Sequence, residues 1–364
     1  MKKLGLVLLI CFYALNLSAV CQGRADNDSI INDGPYIFYV NDTLKAKMIE
    51  NGLVKEYLIS PENFSEIKPA INLSCDYNDL MSVYSQNPDY RQKYNNIDSI
   101  VAISDVHGQY SKYIEILKAN GVIDKSLNWN FGKGHLVFLG DAFDRGDRVT
   151  ELLWHLFTLE KQAEKAGGMV HVMLGNHEDM VFSGDLRYMN PKYKKVEVAT
   201  NTSYPLLYSE NAVLGRWLRN KPVMVTVNNI LFVHAGISID MVRMKLPVKQ
   251  VNKLFAQQII GKYIAPDKLD EEVTLLAGNN GPLWYRGYFD DSTFNESKID
   301  SILMFYDKLH IVVGHTTFKN MNALFNKKVI GIDSGIGYDQ PGEVLIYKNG
   351  NFYIGSIKGS RSKL

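Results

Sequence analysis

Three short clusters hold residue types that bind cations: Asp105-Val106-His107-Gly108, Gly140-Asp141-Ala142-Phe143-Asp144-Arg145-Gly146 and Gly175-Asn176-His177-Glu178. Two more follow, His234-Ala235-Gly236 and Gly314-His315-Thr316. Asp105 and His107 lie two apart on a loop and can turn toward one point. Asp141 carries two oxygens and can bridge two ions, while Asn176, His234 and His315 are neutral donors. One grouping follows: Asp105, His107 and Asp141 for a first ion, and Asp141, Asn176, His234 and His315 for a second. Oxygen and nitrogen donors without thiolate suit Mn, Fe or Zn better than Ca. Two such ions about 3.5–4 Å apart can hold a bridging hydroxide and clamp an in-line displacement at phosphorus. A single histidine or aspartate after an apolar run is usually a cap or turn residue. Six ligand types after five separate runs are not accounted for in that way. The remaining histidines, His135, His155, His171 and His310, precede or lie within apolar segments and read as structural.

The runs that must position these residues are Ile100 to Ile103, Leu136 to Leu139, Met169 to Leu174, Asn229 to Val233 and His310 to Val313. Each has the length of a buried strand. Helices separate the first three, at about Ser111 to Ala119 and Val149 to Lys165, stopping at Asn120-Gly121 and Gly167-Gly168. This alternation predicts an α/β fold with parallel neighbours and ligands at the carboxyl ends of strands, along one sheet edge. Lys328 to Ile332, Glu343 to Tyr347 and Phe352 to Ile357 read as an antiparallel meander punctuated by Asn349-Gly350. Tyr36 to Val40 and Leu44 to Ile59, with turns at Asn41-Asp42 and Asn51-Gly52, predict a small β-rich extension. Pro61 to Asn96 reads as loop plus short helix that wraps the core. The expected division is 1–23 leader, 24–96 linker and extension, 97–358 metal-binding domain and 359–364 polar tail.

Lys2 and Lys3, an apolar run from Leu4 to Leu17 and small Ser18-Ala19 have the order of a secretory signal peptide. The run is short for a span of roughly 20 residues and is broken by Asn16, which argues against a stable membrane span. Cys21 raises lipidation as an alternative, although Val20 before it is bulky for that processing. Export predicts a periplasmic or secreted protein. It removes two lysines and no acid, so the net charge of +1 becomes +1 − 2 = −1. Neither value supports a nucleic-acid surface. Cys11 and Cys21 leave with the leader, so Cys75 has no intramolecular disulfide partner.

As a set, the motifs at 140–146, 175–178, 234–236 and 314–315 resemble the calcineurin-like metallophosphoesterases, in particular the phosphoprotein phosphatase branch. In the first cluster Ser104 stands where the family has glycine, beside ligand Asp105. Gly184-Asp185-Leu186-Arg187-Tyr188, Trp217-Leu218-Arg219 and Leu283-Trp284-Tyr285-Arg286-Gly287 resemble the Shewanella-like phosphatase subgroup. The resemblance covers about Ser99 to Gly355. It implies a β-sandwich flanked by helices, with a dimetal site at its rim. It also implies that His177 is the general acid and that Asp144 orients its imidazole. Arg145 and Arg286 would bind phosphate oxygens, Arg286 having surface ion pairing as its alternative. Arg187, Arg216 and Arg219 would be structural, and Trp284 and Tyr285 would either shape the cleft or pack in the core.

The function expected is a dimetal phosphomonoesterase that uses a metal-bridged hydroxide on phosphorylated protein, peptide or small phosphoesters. The subgroup leans toward phosphotyrosine. The alternative is a hydrolase of dinucleoside polyphosphates or nucleotide-like diesters. A binding module with a dead metal site would have lost Asp141, Asp144 or His177, and all three are present.

Overall fold

A computed structural model of the chain describes residues 30–41, 43–85, 87–262 and 270–364. The leader, Cys21 and Asp42 of the expected turn lie outside the described residues. The strands are β1 (Asp33–Val40), β2 (Thr43–Glu50), β3 (Leu53–Ile59), β4 (Lys93–Tyr94), β5 (Ser99–Ile103), β6 (His135–Phe138), β7 (Met169–Val172), β8 (Met224–Val227), β9 (Ile230–Val233), β10 (His310–Val313), β11 (Asn322–Leu324), β12 (Val329–Gly331), β13 (Glu343–Lys348), β14 (Asn351–Ser356) and β15 (Arg361–Lys363). The helices used below are α1 (Phe64–Ala70), α2 (Tyr77–Ser85), α3 (Tyr110–Ala119), α4 (Val149–Lys165), α5 (Asn176–Phe182), α6 (Pro191–Thr200), α7 (Tyr204–Leu207) and α8 (Val213–Arg219).

Two six-stranded sheets form the sandwich, in the orders β15-β14-β13-β5-β6-β7 and β11-β12-β10-β9-β8-β4. The strand period of two sorts the side chains. Ile100 and Ala102 of β5 face the inner layer, where Val137, Val225, Phe232, Val312 and Ile330 meet. Val101 and Ile103 turn the other way, toward the helices, with Leu136 and Phe138. Both faces are buried, which is why these strands read as continuous apolar runs rather than alternations.

β5, β6 and β7 pair in parallel, as the strand–helix alternation predicts. The ligand-bearing strands do not share one sheet, however. β5–β7 belong to one, and β9 and β10 to the other. The candidate site therefore straddles the gap between the sheets at their common rim. The expected C-terminal meander also needs correcting. β12 pairs parallel with β10 and antiparallel with β11, and only β13 and β14 form the hairpin. β12 is buried throughout, so its apolar residues gave no alternation to tell a parallel strand from a meander strand. Asn349 and Gly350 both take positive φ (48° and 82°), as a two-residue type I′ turn requires. The polar 359–364 segment carries β15, an exposed edge strand paired with β14.

The N-terminal extension is a separate antiparallel sheet, β1-β2-β3, with Asn51 and Gly52 at its second turn. It extends neither large sheet. Its inner face lies against α4, α6 and α8. The Trp154 indole N–H donates to the Pro35 carbonyl at 2.8 Å, Lys47 donates to the Thr200 carbonyl at 2.9 Å, and Tyr36 meets Thr150 at 3.3 Å. The segment that follows, expected to hold one short helix, holds α1, α2 and the two-residue β4. Among the described residues, no helix is long and apolar enough to cross a membrane.

Candidate metal centre

Asp105, Asp141, His234 and His315 sit just past the ends of β5, β6, β9 and β10, and Asn176 opens α5 after β7. All six candidate donor residues are buried. The Asp141 carboxylate is the hub. Its Oδ2 lies 3.6 Å from His107 Nε2, 3.9 Å from His177 Nε2 and 3.3 Å from His234 Nε2. Two groups of donors converge: His107, Asp141 and His177, and Asp141, His234 and His315. The first differs from the expected grouping by holding His177. Asp105 stands at its margin, with Oδ1 4.0 Å from His107 Nε2. Asp105 Oδ2 is held by the Ser104 hydroxyl and by the His315 N–H at 3.0 Å. The departure from glycine at 104 thus adds a donor to Asp105. Gly314 makes room for it, since a Cβ there would stand 1.9 Å from the Ser104 oxygen.

The donors fit cations. His107 Nδ1–H donates to the Phe143 carbonyl at 2.7 Å, which leaves Nε2 bare, buried and without a hydrogen-bond partner. His315 Nε2 is likewise buried and unpartnered. Burial, then the nearby His234 and Arg286, push the His315 imidazole down to about 2, so its nitrogen stays an electron-pair donor. His234 Nδ1–H donates to the Leu139 carbonyl at 2.7 Å, which points Nε2 at Asp141 and at Asn176 Oδ1, 3.0 Å away. Burial alone would lower His234, but Asp141 and Asp105 push it up to about 10, so without metal a proton sits where a cation would bind. Burial and then Asp333 push the Asp105 carboxyl well above the carboxylate range. A divalent cation held by these donors would let the buried acids ionise together.

Six of the candidate site residues are held at left-handed backbone angles: Asp105 (φ 53°), His107 (47°), Asp141 (59°), Asp144 (71°), Arg145 (59°) and His315 (63°). Such conformations cost a non-glycine residue about 1–3 kcal/mol each and persist where the surroundings over-determine them. Glu178 supplies much of that constraint. Its Oε2 accepts from the N–H of Gly175 at 2.6 Å and of Asp141 at 2.9 Å, and its Oε1 accepts from Ala142 at 2.7 Å. Residue 175 must also lack a side chain, because a Cβ there would stand 2.1 Å from Asp141 Oδ1.

His177 Nδ1 and Asp144 Oδ2 are 2.5 Å apart, so the two residues expected to form the acid pair are in contact. Burial lowers the His177 imidazole, but Asp141 and Asp144 outweigh it and raise it overall. Tyr188 packs on the His177 ring, with centroids 5.3 Å apart. The Arg145 guanidinium lies 4.4 Å over the Tyr338 ring and makes no ion pair among the described residues. Arg286 donates to the His315 carbonyl at 3.1 Å and to the Thr316 hydroxyl at 3.2 Å; it is exposed and forms no ion pair among the described residues. Trp284 stands edge-on to His315 at 5.9 Å, while Tyr285 packs on Tyr288. Arg187 pairs with Asp185 and lies 5.8 Å over the Tyr188 ring, while away from the site Arg216 caps the Glu210 carbonyl and Arg219 bonds the Tyr208 and Gly215 carbonyls.

Four contributors escape the sequence reading. The Glu178 clamp carries one signal, its capping-box spacing from Gly175. Asp333, buried beside Asp105, follows the apolar run 328–332 just as the other acids follow theirs. Tyr338 carries no local signal, since it works through Arg145, distant in sequence, while Tyr188 lies inside the 184–188 motif but nothing local to it shows the packing on His177.

A Shewanella-like protein phosphatase 1 of Plasmodium berghei is 31% identical over 269 residues, spanning 69% of this chain and 73% of that protein. A crystal structure described as the cold-active protein-tyrosine phosphatase of a psychrophilic Shewanella superposes with a TM-score of 0.82. It is 36% identical and covers 92% of this chain and 99% of its own. A symmetrical bis(5'-nucleosyl)-tetraphosphatase of Chromobacterium violaceum is 26% identical over 139 residues, 38% of this chain and 43% of that protein. Residues 99–317 match the family described as calcineurin-like phosphoesterase. The chain is a metal-binding hydrolase that belongs to the calcineurin-like phosphoesterases.

Proposed function

We propose that the chain is a phosphomonoesterase that works with two metal ions (Mn, Fe or Zn) on phosphorylated protein or peptide, phosphotyrosine included. One observation carries the reading: a single carboxylate, Asp141, shared by histidines from both sheets, with two bare imidazole nitrogens in the same pocket. Divalent ions there supply Lewis acidity toward phosphoryl oxygens and raise the nucleophilicity of water. The chain supplies the rest. Asp144 accepts the His177 Nδ1 proton and fixes the ring, so Nε2 can deliver a proton to the leaving oxygen. Arg145, without an ion pair among the described residues and backed by Tyr338, presents planar donors to the phosphate, and Arg286 does so from the His315 side.

Preference for an aryl ester is supported by the aromatic rim of Tyr188, Tyr338 and Trp284 and by the protein-tyrosine phosphatase description of the 36%-identical structure. The partial match to a tetraphosphatase favours a second reading, hydrolysis of dinucleoside polyphosphates. Rates of metal-loaded protein on phosphotyrosine peptide, phosphoserine peptide and diadenosine tetraphosphate decide between them. The proposal expects the phosphotyrosine peptide to be fastest, and a faster tetraphosphate would replace it.

Two variants separate the assigned roles. His177→Ala should lower kcat by about 10²–10⁴-fold with metal content unchanged. Tyr338→Ala should raise KM by about two- to thirty-fold with kcat near wild type, and Tyr338→Phe should restore it, since only the ring face is used. If the phenylalanine variant behaves like alanine, Tyr338 does not act through Arg145.

We further propose export, supported by the basic-apolar-small order of the first residues. The intact mass of the mature protein from its native host should show loss of about the first 20 residues. Retention of Met1, or a lipid-modified Cys21, would contradict cleavage to a free polypeptide.

A further inference from the structure

A cleft of about 850 Å³ lies far from the metal centre, walled by β4, β8 and the residues before β10. Lys308 in its wall precedes His315 by seven residues along β10, which at roughly 3.3 Å per residue places the cleft about 20 Å from the site. Five cations line it, Arg91, Lys93, Lys245, Lys249 and Lys308, against the two carboxylates of Asp89 and Asp307. Asp89 is engaged by Arg91 at 3.1 Å. None of the four lysines forms an ion pair among the described residues. Burial and the neighbouring Lys93 lower the Lys308 amine against the pull of Asp307, so like charges are held together here. The whole chain carries only +1, so this excess is local. A second cleft of about 460 Å³ continues past Lys249 and adds Lys253.

Backbone geometry narrows the ligand class. β4 is the terminal strand of its sheet. Thr226 N–H bonds the Gln92 carbonyl and Asn228 N–H bonds the Tyr94 carbonyl. The alternation of the ladder therefore directs the Lys93 N–H and carbonyl away from β8, toward the open edge. An extended polypeptide can pair there, with Phe305 and Tyr306 offering apolar surface. A bare ion would use the lysines alone.

We propose that this cleft docks an acidic segment of the substrate polypeptide, holding it while a phosphorylated residue more than about seven extended residues away occupies the metal centre. The proposal rests on the phosphoprotein reading of the site for its role, but not for binding itself.

The test uses the full chain and a fluorescein-labelled, unphosphorylated octapeptide of alternating Glu and Asp. Anisotropy should show binding that weakens steeply with salt and falls at least about tenfold in Lys93→Glu/Lys249→Glu/Lys308→Glu. The variant should keep the wild-type Tm and its rate on p-nitrophenyl phosphate. Its KM should rise only for a phosphotyrosine peptide that carries the acidic run about 12 residues from the phosphate, not for the same peptide with serines there. Equal binding by wild type and variant, or no binding, overturns the proposal. Tighter binding of a labelled oligonucleotide or of anionic vesicles overturns the ligand class. Peptide binding by a protein that cleaves no phosphoester overturns the phosphatase reading and leaves the docking site standing.

Discussion

The Asp141 carboxylate is the constraint on which the rest of the architecture depends. It is buried, it faces histidines from both sheets, and it sits within reach of Asp105 and Asp333. So much buried negative charge is tolerable only with strong counter-charge and directed N–H groups. Imidazoles and the His177 N–H at 3.0 Å meet part of that demand, and cations held by the same donors would meet the rest. Glu178 holds the Asp141 loop through backbone N–H groups, and the left-handed residues around it aim side chains that ordinary strand ends would point elsewhere. The helices and the N-terminal sheet hold these loops from behind.

The N-terminal sheet shows how indirect that support is. Among its described residues none hydrogen-bonds or ion-pairs with a candidate donor, yet Tyr36 reaches Thr150 on α4, and Tyr208 meets the same Thr150 hydroxyl at 3.1 Å. Tyr208 in turn packs edge-on to Phe143, centroids 4.8 Å apart, within the loop that carries Asp141 and Asp144. A contiguous packed path thus links the extension to the site.

The candidate donors were legible because each follows a buried strand, and a polar residue directly after an apolar run stands out. The parallel order of β5, β6 and β7 was legible from strand–helix alternation. The split of the ligands between two sheets was not, because strands buried on both faces look alike whichever sheet they join. The membership of β12 escaped for the same reason. His177 beside the first donor group depends on where α5 starts relative to β6, a tertiary relation with no local trace. The Tyr338–Arg145 contact joins segments far apart in the chain, so spacing could not show it, and the Tyr188–His177 contact crosses a helix end and loop with no regular period. The Asn-Gly turns at 51–52 and 349–350 were plain, since the residue pair and the required positive φ are one signal.

The central claim is that Asp141 bridges two ions. A crystal of the Mn-soaked protein, measured at the manganese absorption edge, addresses it most directly. The account predicts two anomalous peaks about 3.5–4 Å apart on either side of the Asp141 carboxylate, one beside His107 and one between His234 and His315. A single peak, or two peaks of which Asp141 touches only one, would contradict it.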